Sequence, residues 1–248
     1  MNYEKLFDRL STAKNVVFFT GAGVSAESGI ETFRGAGGIW TKLKPEELAN
    51  FNAFLKNPDL VWEWYQYRRK IIEETKPNPA HITIAETENY FNNVTVVTQN
   101  IDNLHNRAGS SIVYEVHGNI ERNYCVKCHT FYNSKDFTFE GKAPFCKCGG
   151  LIRPDIVWFG EMLPQDVFAS AEEAARNCNV IFVVGTSAVV YPAAYIPIDA
   201  KKGGALVVEI NVEETELTQM ADISFFGKAG EVLPKIFNEF KKIKKLSL

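Results

Sequence analysis

Apolar positions recur along this chain at two spacings, and the alternation between them lays out the fold. Residues 3–13 place Tyr3, Leu6, Phe7 and Leu10 on one face at helical spacing. The next segment, Asn15–Thr20, is a run of mostly apolar residues that ends on glycine, the pattern of a strand covered on both faces. Similar runs stand at Val94–Thr98, Ile112–Val116, Val180–Val184 and Ala205–Ile210, and helical patterns such as Pro79–Phe91 and Gln165–Arg176 lie between most of them. Buried strands alternating with helices predict an α/β fold with a mainly parallel, doubly wound sheet.

Two stretches break the rhythm. Residues 35–75 are rich in aromatic side chains and helical in pattern, with Pro45 and Pro58 placed to start helices. Residues 121–153 hold four of the five cysteines and few core-forming residues, which suits an insert stapled by a metal. The reading is one catalytic domain over 1–248: a large lobe from 1–34, 76–120 and 154–248, and a small lobe from the helical insert 35–75 and the cysteine insert 121–153.

Composition narrows the class. With 46% hydrophobic and 23% charged residues the chain is an ordinary globular protein, and its net charge of −3 gives no broad attraction to nucleic acid or anionic lipid. The basic run Lys241–Lys245 reads as a solvated helix tail. No apolar stretch approaches the ~18 residues that span a bilayer, and Glu4, Lys5, Asp8 and Arg9 leave no apolar core for a secretory signal. A cytoplasmic, reducing setting is the expectation, and there clustered cysteines favour metal over disulfide.

Ligands of open α/β sheets bind at the carboxyl ends of the strands, so the residues following each strand are the candidates. Gly21-Ala22-Gly23-Val24-Ser25-Ala26 follows the first and fits a glycine turn that lets backbone N–H groups approach a pyrophosphate. The acidic residue that a dehydrogenase places ~20 residues further on, after a second strand, is missing; Arg34–Leu43 is loop-like instead. Thr98-Gln99-Asn100-Ile101-Asp102, Gly185-Thr186-Ser187 and Asn211 follow later strands. Each set alone fits helix caps and turns equally well; together at one edge they suit a ligand rich in sugar and phosphate.

Of the four histidines, His81 reads as structural and His105 as packing for the Asn100–Asp102 turn, while His129 beside Cys128 is awkwardly placed as a ligand. His117 ends a strand and precedes Gly118, and an ordinary imidazole pKa of about 6.5 suits a general base. Cys125 and Cys128, then Cys146 and Cys148, have the paired spacing of a zinc ribbon. Four thiolates fill a tetrahedral shell, so the expected zinc is structural. The second pair is C-x-C, and Gly149-Gly150 supplies the backbone freedom for the tighter knuckle. Cys178, before a buried strand, reads as core.

Taken in order, Gly21–Ser25, Thr32–Gly35, Thr98–Asp102, His117-Gly118, the cysteine pairs, Val157-Trp-Phe-Gly-Glu161 and Gly185–Ser187 resemble the sirtuin (Sir2-like) family over essentially the full chain. The resemblance implies a Rossmann-like sheet with a smaller zinc-ribbon and helical lobe. It also implies an enzyme that consumes NAD and moves an acyl group from a protein lysine to ADP-ribose, releasing nicotinamide. His117 then matches the base, with Asn100 and Asp102 orienting ribose and nicotinamide. The implied cofactor set is Gly21, Ala22, Gly23, Ser25, Phe33, Arg34, Gln99, Asn100, Ile101, Asp102, Gly185, Thr186, Ser187, Asn211, Glu213 and Ala229. Phe33 and Arg34 fall in what resembles a mobile cofactor loop, although Glu31-Thr32 replaces the Pro-Asp of many relatives. Val157, Phe159 and Gly160 resemble the strand to which the substrate peptide adds.

Tyr65 and Arg68 share a helix face. Helix pattern alone favours Tyr65 in the core with a solvated Arg68; resemblance to the Y-x-x-R sirtuins instead implies a receptor for the carboxylate of succinyl and malonyl groups. Two rival readings of the chain are a protein ADP-ribosyltransferase and a non-enzymatic NAD- or zinc-binding adaptor. The expected partners are acylated lysines of proteins, without nucleic acid or membrane.

Overall fold

The computed structural model of the protein describes residues 2–32, 38–39, 44–136 and 139–246. Its strands in chain order are β1 (Asn15–Thr20), β2 (Asn93–Thr98), β3 (Val113–Glu115), β4 (Gly118–Cys125), β5 (Phe131–Asn133), β6 (Ile152–Ile156), β7 (Val180–Val184), β8 (Leu206–Asn211) and β9 (Ile223–Phe226). The helices are α1 (Asn2–Thr12), α2 (Gly23–Ala26), α3 (Pro45–Leu48), α4 (Phe51–Lys56), α5 (Pro58–Glu74), α6 (Pro79–Glu86), α7 (Leu104–Ala108), α8 (Gln165–Arg176), α9 (Tyr195–Lys202) and α10 (Ala229–Leu246).

Six strands form one sheet of order β3-β2-β1-β7-β8-β9, and every pairing in it is parallel. Alternate residues of β1 and β7 point to opposite faces, and both faces are apolar because both are covered. Phe18 and Phe182 stack at 5.1 Å on the face packed by α1, α6 and α10, where Phe237 joins them. Val17, Phe19, Ile181 and Val183 fill the other face under Ala171 and Ala175 of α8 and Ile196 and Ala200 of α9. Fully burying a side chain of this size stabilises by roughly 1.5–3 kcal/mol, so the central strands are the anchor of the fold.

The second sheet, β5-β4-β6, is antiparallel. It shares an apolar cluster with α5, in which Val61, Trp62, Tyr65 and Ile72 meet Ile120, Cys125, Cys146, Ile152, Ile156 and Trp158. Asn57 caps α5 by accepting from the Leu60 N–H, and Pro58 occupies its first turn. Trp62 Nε1 donates to the Ile152 carbonyl at 2.8 Å, which ties that helix to β6.

The structure departs from the sequence reading at several places. The strand expected at Ile112–Val116 is only β3, and His117 lies in the turn after it. Val157–Glu161 is no strand: β6 ends at Ile156, and the chain turns at Phe159 and Gly160 because the Glu161 N–H bonds back to the Trp158 carbonyl at 3.0 Å. Strand β9 has no counterpart in the reading, since its outer residues are half-exposed and mixed in polarity. Among the described residues no helix is long and apolar enough to cross a membrane.

Candidate active site and metal centre

The sheet order reverses between β1 and β7, and the crevice outside their carboxyl ends is where such sheets take ligands. A cavity of about 820 Å³ opens there. Its wall brings together Gly21, Ala22 and Gly23 after β1, Gln99, Asn100 and Ile101 after β2, Gly185, Thr186 and Ser187 after β7, and Asn211 and Glu213 after β8. His117, Tyr65, Val157, Phe159 and Gly160 line it from the side of the small sheet. Ser25, Asp102 and Arg68 lie buried outside this lining, and Ala229 packs into the core at the start of α10. Phe33 and Arg34 fall outside the described residues.

The glycine turn is closed by its own backbone bonds. Gly21 N–H bonds to the Val184 carbonyl at 3.1 Å and Gly23 N–H to the Gly185 carbonyl at 2.8 Å, which locks the turn against the end of β7. Val24 and Ser25 donate to Gly21 and Ala22. Among the described residues no backbone acceptor meets the Ala22 N–H, and Ala22 lines the cavity.

His117 is held at both ends. Its Nδ1 lies 3.0 Å from the Gln99 carbonyl oxygen, and its own carbonyl accepts from the Val157 N–H at 3.0 Å. A carbonyl only accepts, so Nδ1 carries a proton and, when the ring is neutral, Nε2 is the basic nitrogen. Gly118 follows because β4 passes so close to β6 that a Cβ there would sit 2.1 Å from the Asp155 carbonyl oxygen, and its φ is +80°.

Behind the wall lies a buried polar network. Asn100 spends its amide N–H groups on the Gly21 carbonyl and on Ser25 Oγ, both at 3.1 Å, which leaves Oδ1 available to a ligand. Ser25 donates in turn to Asp102 Oδ2 at 2.7 Å, and the other Asp102 oxygen accepts from the Leu104 N–H at 3.0 Å. Burial raises the Asp102 carboxyl above its ordinary value, opposed by those two bonds and by the Arg68 charge. His81 lies 3.4 Å from Ser25 Oγ, with its ring 4.8 Å from that of His105, and His105 Nε2 meets Thr20 Oγ1 at 2.9 Å. Only the helix and turn positions of these two histidines were legible; the network joins residues up to 85 apart in the chain.

Burial pulls His81 down to about 4 and His105 well below its ordinary value. The unfolded chain protonates His81 below about 6.5, while the folded chain does so only below about 4. Between these values the unfolded state holds the extra proton, so stability falls as pH drops from 6.5 toward 4, by about 3 kcal/mol for this group. Asp102 acts in the opposite sense. The expected result is a shallower loss of stability across that window in His81→Asn than in the parent, measured by denaturant unfolding at a series of pH values; parallel slopes would contradict it.

Tyr65 is buried, and its hydroxyl accepts from Trp158 Nε1 at 2.8 Å. Arg68 is 6% exposed rather than solvated, with its guanidinium 5.7 Å from the centre of the Trp64 ring. It is close enough to Tyr65 and Asp102 to feel both electrostatically. Beside them Arg153 pairs with both oxygens of Glu161 and lies 3.5 Å over the Trp158 ring, and Glu161 also accepts from the Trp158 N–H at 2.8 Å. This clamp, which fixes the turn at Phe159 and Gly160, was not visible in the sequence beyond the Val157–Glu161 motif.

The four cysteine sulfurs converge within 4.8 Å of one another, with Cys125 to Cys148 and Cys128 to Cys146 both at 3.5 Å. A disulfide would need about 2.05 Å, whereas a tetrahedron of thiolates about 2.3 Å from zinc has edges near 3.8 Å. Tyr132 and the Lys127 N–H donate to two of the sulfurs, at 3.1 and 3.3 Å, as anionic thiolates require. A Cβ on Gly150 would lie 2.6 Å from the Cys125 sulfur, so the knuckle closes only around glycine. The residues fit one four-coordinate zinc. Cys178 is buried in the large core, apart from the cluster.

Comparison with known proteins gives a consistent result. A family model described as Sir2 family matches residues 21–192. "NAD-dependent protein deacylase 2" of Pyrobaculum aerophilum is 53% identical over 236 residues, covering 95% of this chain and 94% of that one. A mutant Sir2 homologue solved with ADP-ribose superposes with a TM-score of 0.95 at 45% identity, over 99% of both chains. Another, in complex with 2′-O-acetyl ADP-ribose, gives 0.91 at 45% identity over 97% of both chains.

Proposed function

Because this chain belongs to the Sir2 family, we propose that it is an NAD-dependent protein deacylase acting on acylated lysine side chains. The observation that carries the reading is His117, with Nδ1 fixed by the Gln99 carbonyl, on the wall of the switch-point cavity. NAD is the co-substrate of the proposal, and ADP-ribose and its acetyl ester occupy solved relatives.

In the proposed reaction the acyl oxygen of the lysine amide displaces nicotinamide from the ribose carbon, and nicotinamide leaves with the bonding electrons. His117 Nε2 takes the proton of a ribose hydroxyl, which then adds to the acyl carbon. The lysine departs as the amine with that proton, and one water then adds to the acyl carbon, which is bonded to two ribose oxygens. One of those bonds breaks, leaving the acyl group as an ester on ADP-ribose and a free hydroxyl on the other ribose carbon. Ala22 N–H and the edge residues Gln99, Ile101, Gly185, Thr186, Ser187, Asn211 and Glu213 hold the nucleotide. Asn100 Oδ1 and Asp102, steadied by Ser25, orient the ribose and nicotinamide. Phe33, Arg34 and Ala229 complete the set. The peptide lies against Val157, Phe159 and Gly160, where backbone pairing serves many sequences. One zinc held by Cys125, Cys128, Cys146 and Cys148 is structural, because four thiolates leave no open position.

The finer part of the proposal is the acyl group. Tyr65 on the cavity wall and Arg68 beside it offer an O–H and a cation to an acyl chain that ends in carboxylate, as succinyl and malonyl do. With matched acetyl- and succinyl-lysine peptides, Arg68→Met is expected to lower desuccinylation about 10- to 100-fold more than deacetylation, the range for one charge-assisted hydrogen bond. Equal losses on the two peptides would overturn the carboxylate assignment and leave the deacylase reading in place.

A further inference from the structure

We propose that Trp158 sets acyl-chain specificity by fixing the direction in which the Tyr65 hydroxyl donates its proton. The inference rests on the reading of Tyr65 and Arg68 as a carboxylate receptor.

An indole N–H can only donate, so in the 2.8 Å contact with the Tyr65 hydroxyl the oxygen is the acceptor. A phenolic O–H lies near the plane of its ring and has two orientations. The indole N–H occupies one side and drives the proton to the other. No described residue accepts that proton, although Tyr65 is only 2% exposed. A buried donor without an acceptor is costly unless a ligand supplies one, and Tyr65 lies on the wall of the site cavity. Burial also raises the phenol above its ordinary pKa, so it remains a donor across the working pH range.

The indole is itself immobilised. Arg153 lies over its ring at 3.5 Å, Glu161 binds its backbone N–H at 2.8 Å, and Phe54 packs against it at 5.3 Å between ring centres. Tyr65 therefore presents its O–H in one direction from the cavity wall, with the Arg68 cation close enough to interact with it, and this arrangement selects an anionic acceptor over a methyl group. Without the indole N–H the phenol can turn its proton away, and its lone pair then faces the incoming carboxylate. Trp158 acts through Tyr65 and is a positioning residue.

The test compares kcat/KM for succinyl- and acetyl-lysine peptides in the parent, W158F, Y65F, the double variant and R68M. Phe keeps most of the shape of Trp158 and removes its N–H. W158F is expected to lower the succinyl-to-acetyl ratio about tenfold, chiefly through KM for the succinyl peptide, and to change the ratio little when added to Y65F. An unchanged ratio in W158F, or the same drop with Tyr65 already replaced, would overturn the role of Trp158. R68M separates this from the parent reading. If R68M lowers the ratio and W158F does not, only the inference falls; if R68M leaves it unchanged, both fall. In the intact protein the Trp158 indole N–H resonance, identified by its shift in Y65F, is expected to move on adding succinyl-lysine peptide and much less with acetyl-lysine peptide. Equal movement with both would count against the proposal even if W158F folds poorly.

Discussion

Replacing His117 by Ala is expected to slow acyl transfer from lysine to ADP-ribose by about 10²- to 10⁴-fold, the usual contribution of a positioned general base. The ring is bonded through Nδ1 to the Gln99 carbonyl, and its backbone is tied to Val157. Its loss therefore removes a proton acceptor from a site otherwise held by the strand ends. In the proposed reaction the base acts after nicotinamide has left, so exchange of free labelled nicotinamide into NAD should survive far better than acyl transfer. Single-turnover measurement of both rates checks this. Equal loss of exchange and transfer would remove His117 from that role and assign it to ligand binding instead.

The second large effect concerns the cysteine cluster. Cys125 and Cys146 are buried in the same apolar cluster as Trp62, Tyr65 and Trp158, so the metal centre and the proposed acyl pocket share one core. Replacing Cys146 by Ser removes one of four converging sulfurs and also the acceptor of the Tyr132 hydroxyl. Structural zinc in small modules contributes about 10 kcal/mol or more. Even a part of that, several kcal/mol, lowers the melting temperature of a chain this size by about 10 °C or more. The Ser variant is expected to bind less than stoichiometric zinc, melt earlier and lose deacylation. Metal analysis with calorimetry checks it; an unchanged melting temperature, or no zinc in the reduced parent, would contradict the assignment.

How far the sequence foretold these features depended on the range of the contacts. The central strands were legible because β1 and β7 are buried on both faces and so consist of uninterrupted apolar runs. The carboxyl-edge residues followed from them, since each lies directly after a strand. The cysteine ligands were legible from spacing alone. Strand β4 was not, because its sequence Gly118–Cys125 mixes core residues such as Ile120 with polar ones held by bonds to distant residues: Arg122 joins Glu115 of β3 and Asp155 of β6, at 2.7 and 2.8 Å. The anchoring of the glycine turn was hidden for a related reason. Gly21 and Gly23 donate to carbonyls at the end of β7, more than 160 residues away, and no local pattern announces that. Trp158 is the same case, since its partner Tyr65 stands 93 residues earlier.

The central claim is that the acyl group ends on ADP-ribose, and the destination of the acyl group tests it most directly. Purified protein would be incubated with NAD and an acyl-lysine peptide, and all products followed by mass spectrometry. The expected products are a peptide lighter by one acyl group, one nicotinamide, and one ADP-ribose heavier by that acyl group, in equal amounts and only with NAD present. A peptide or protein that gains ADP-ribose while its acyl group stays in place would contradict the account and make the chain an ADP-ribosyltransferase.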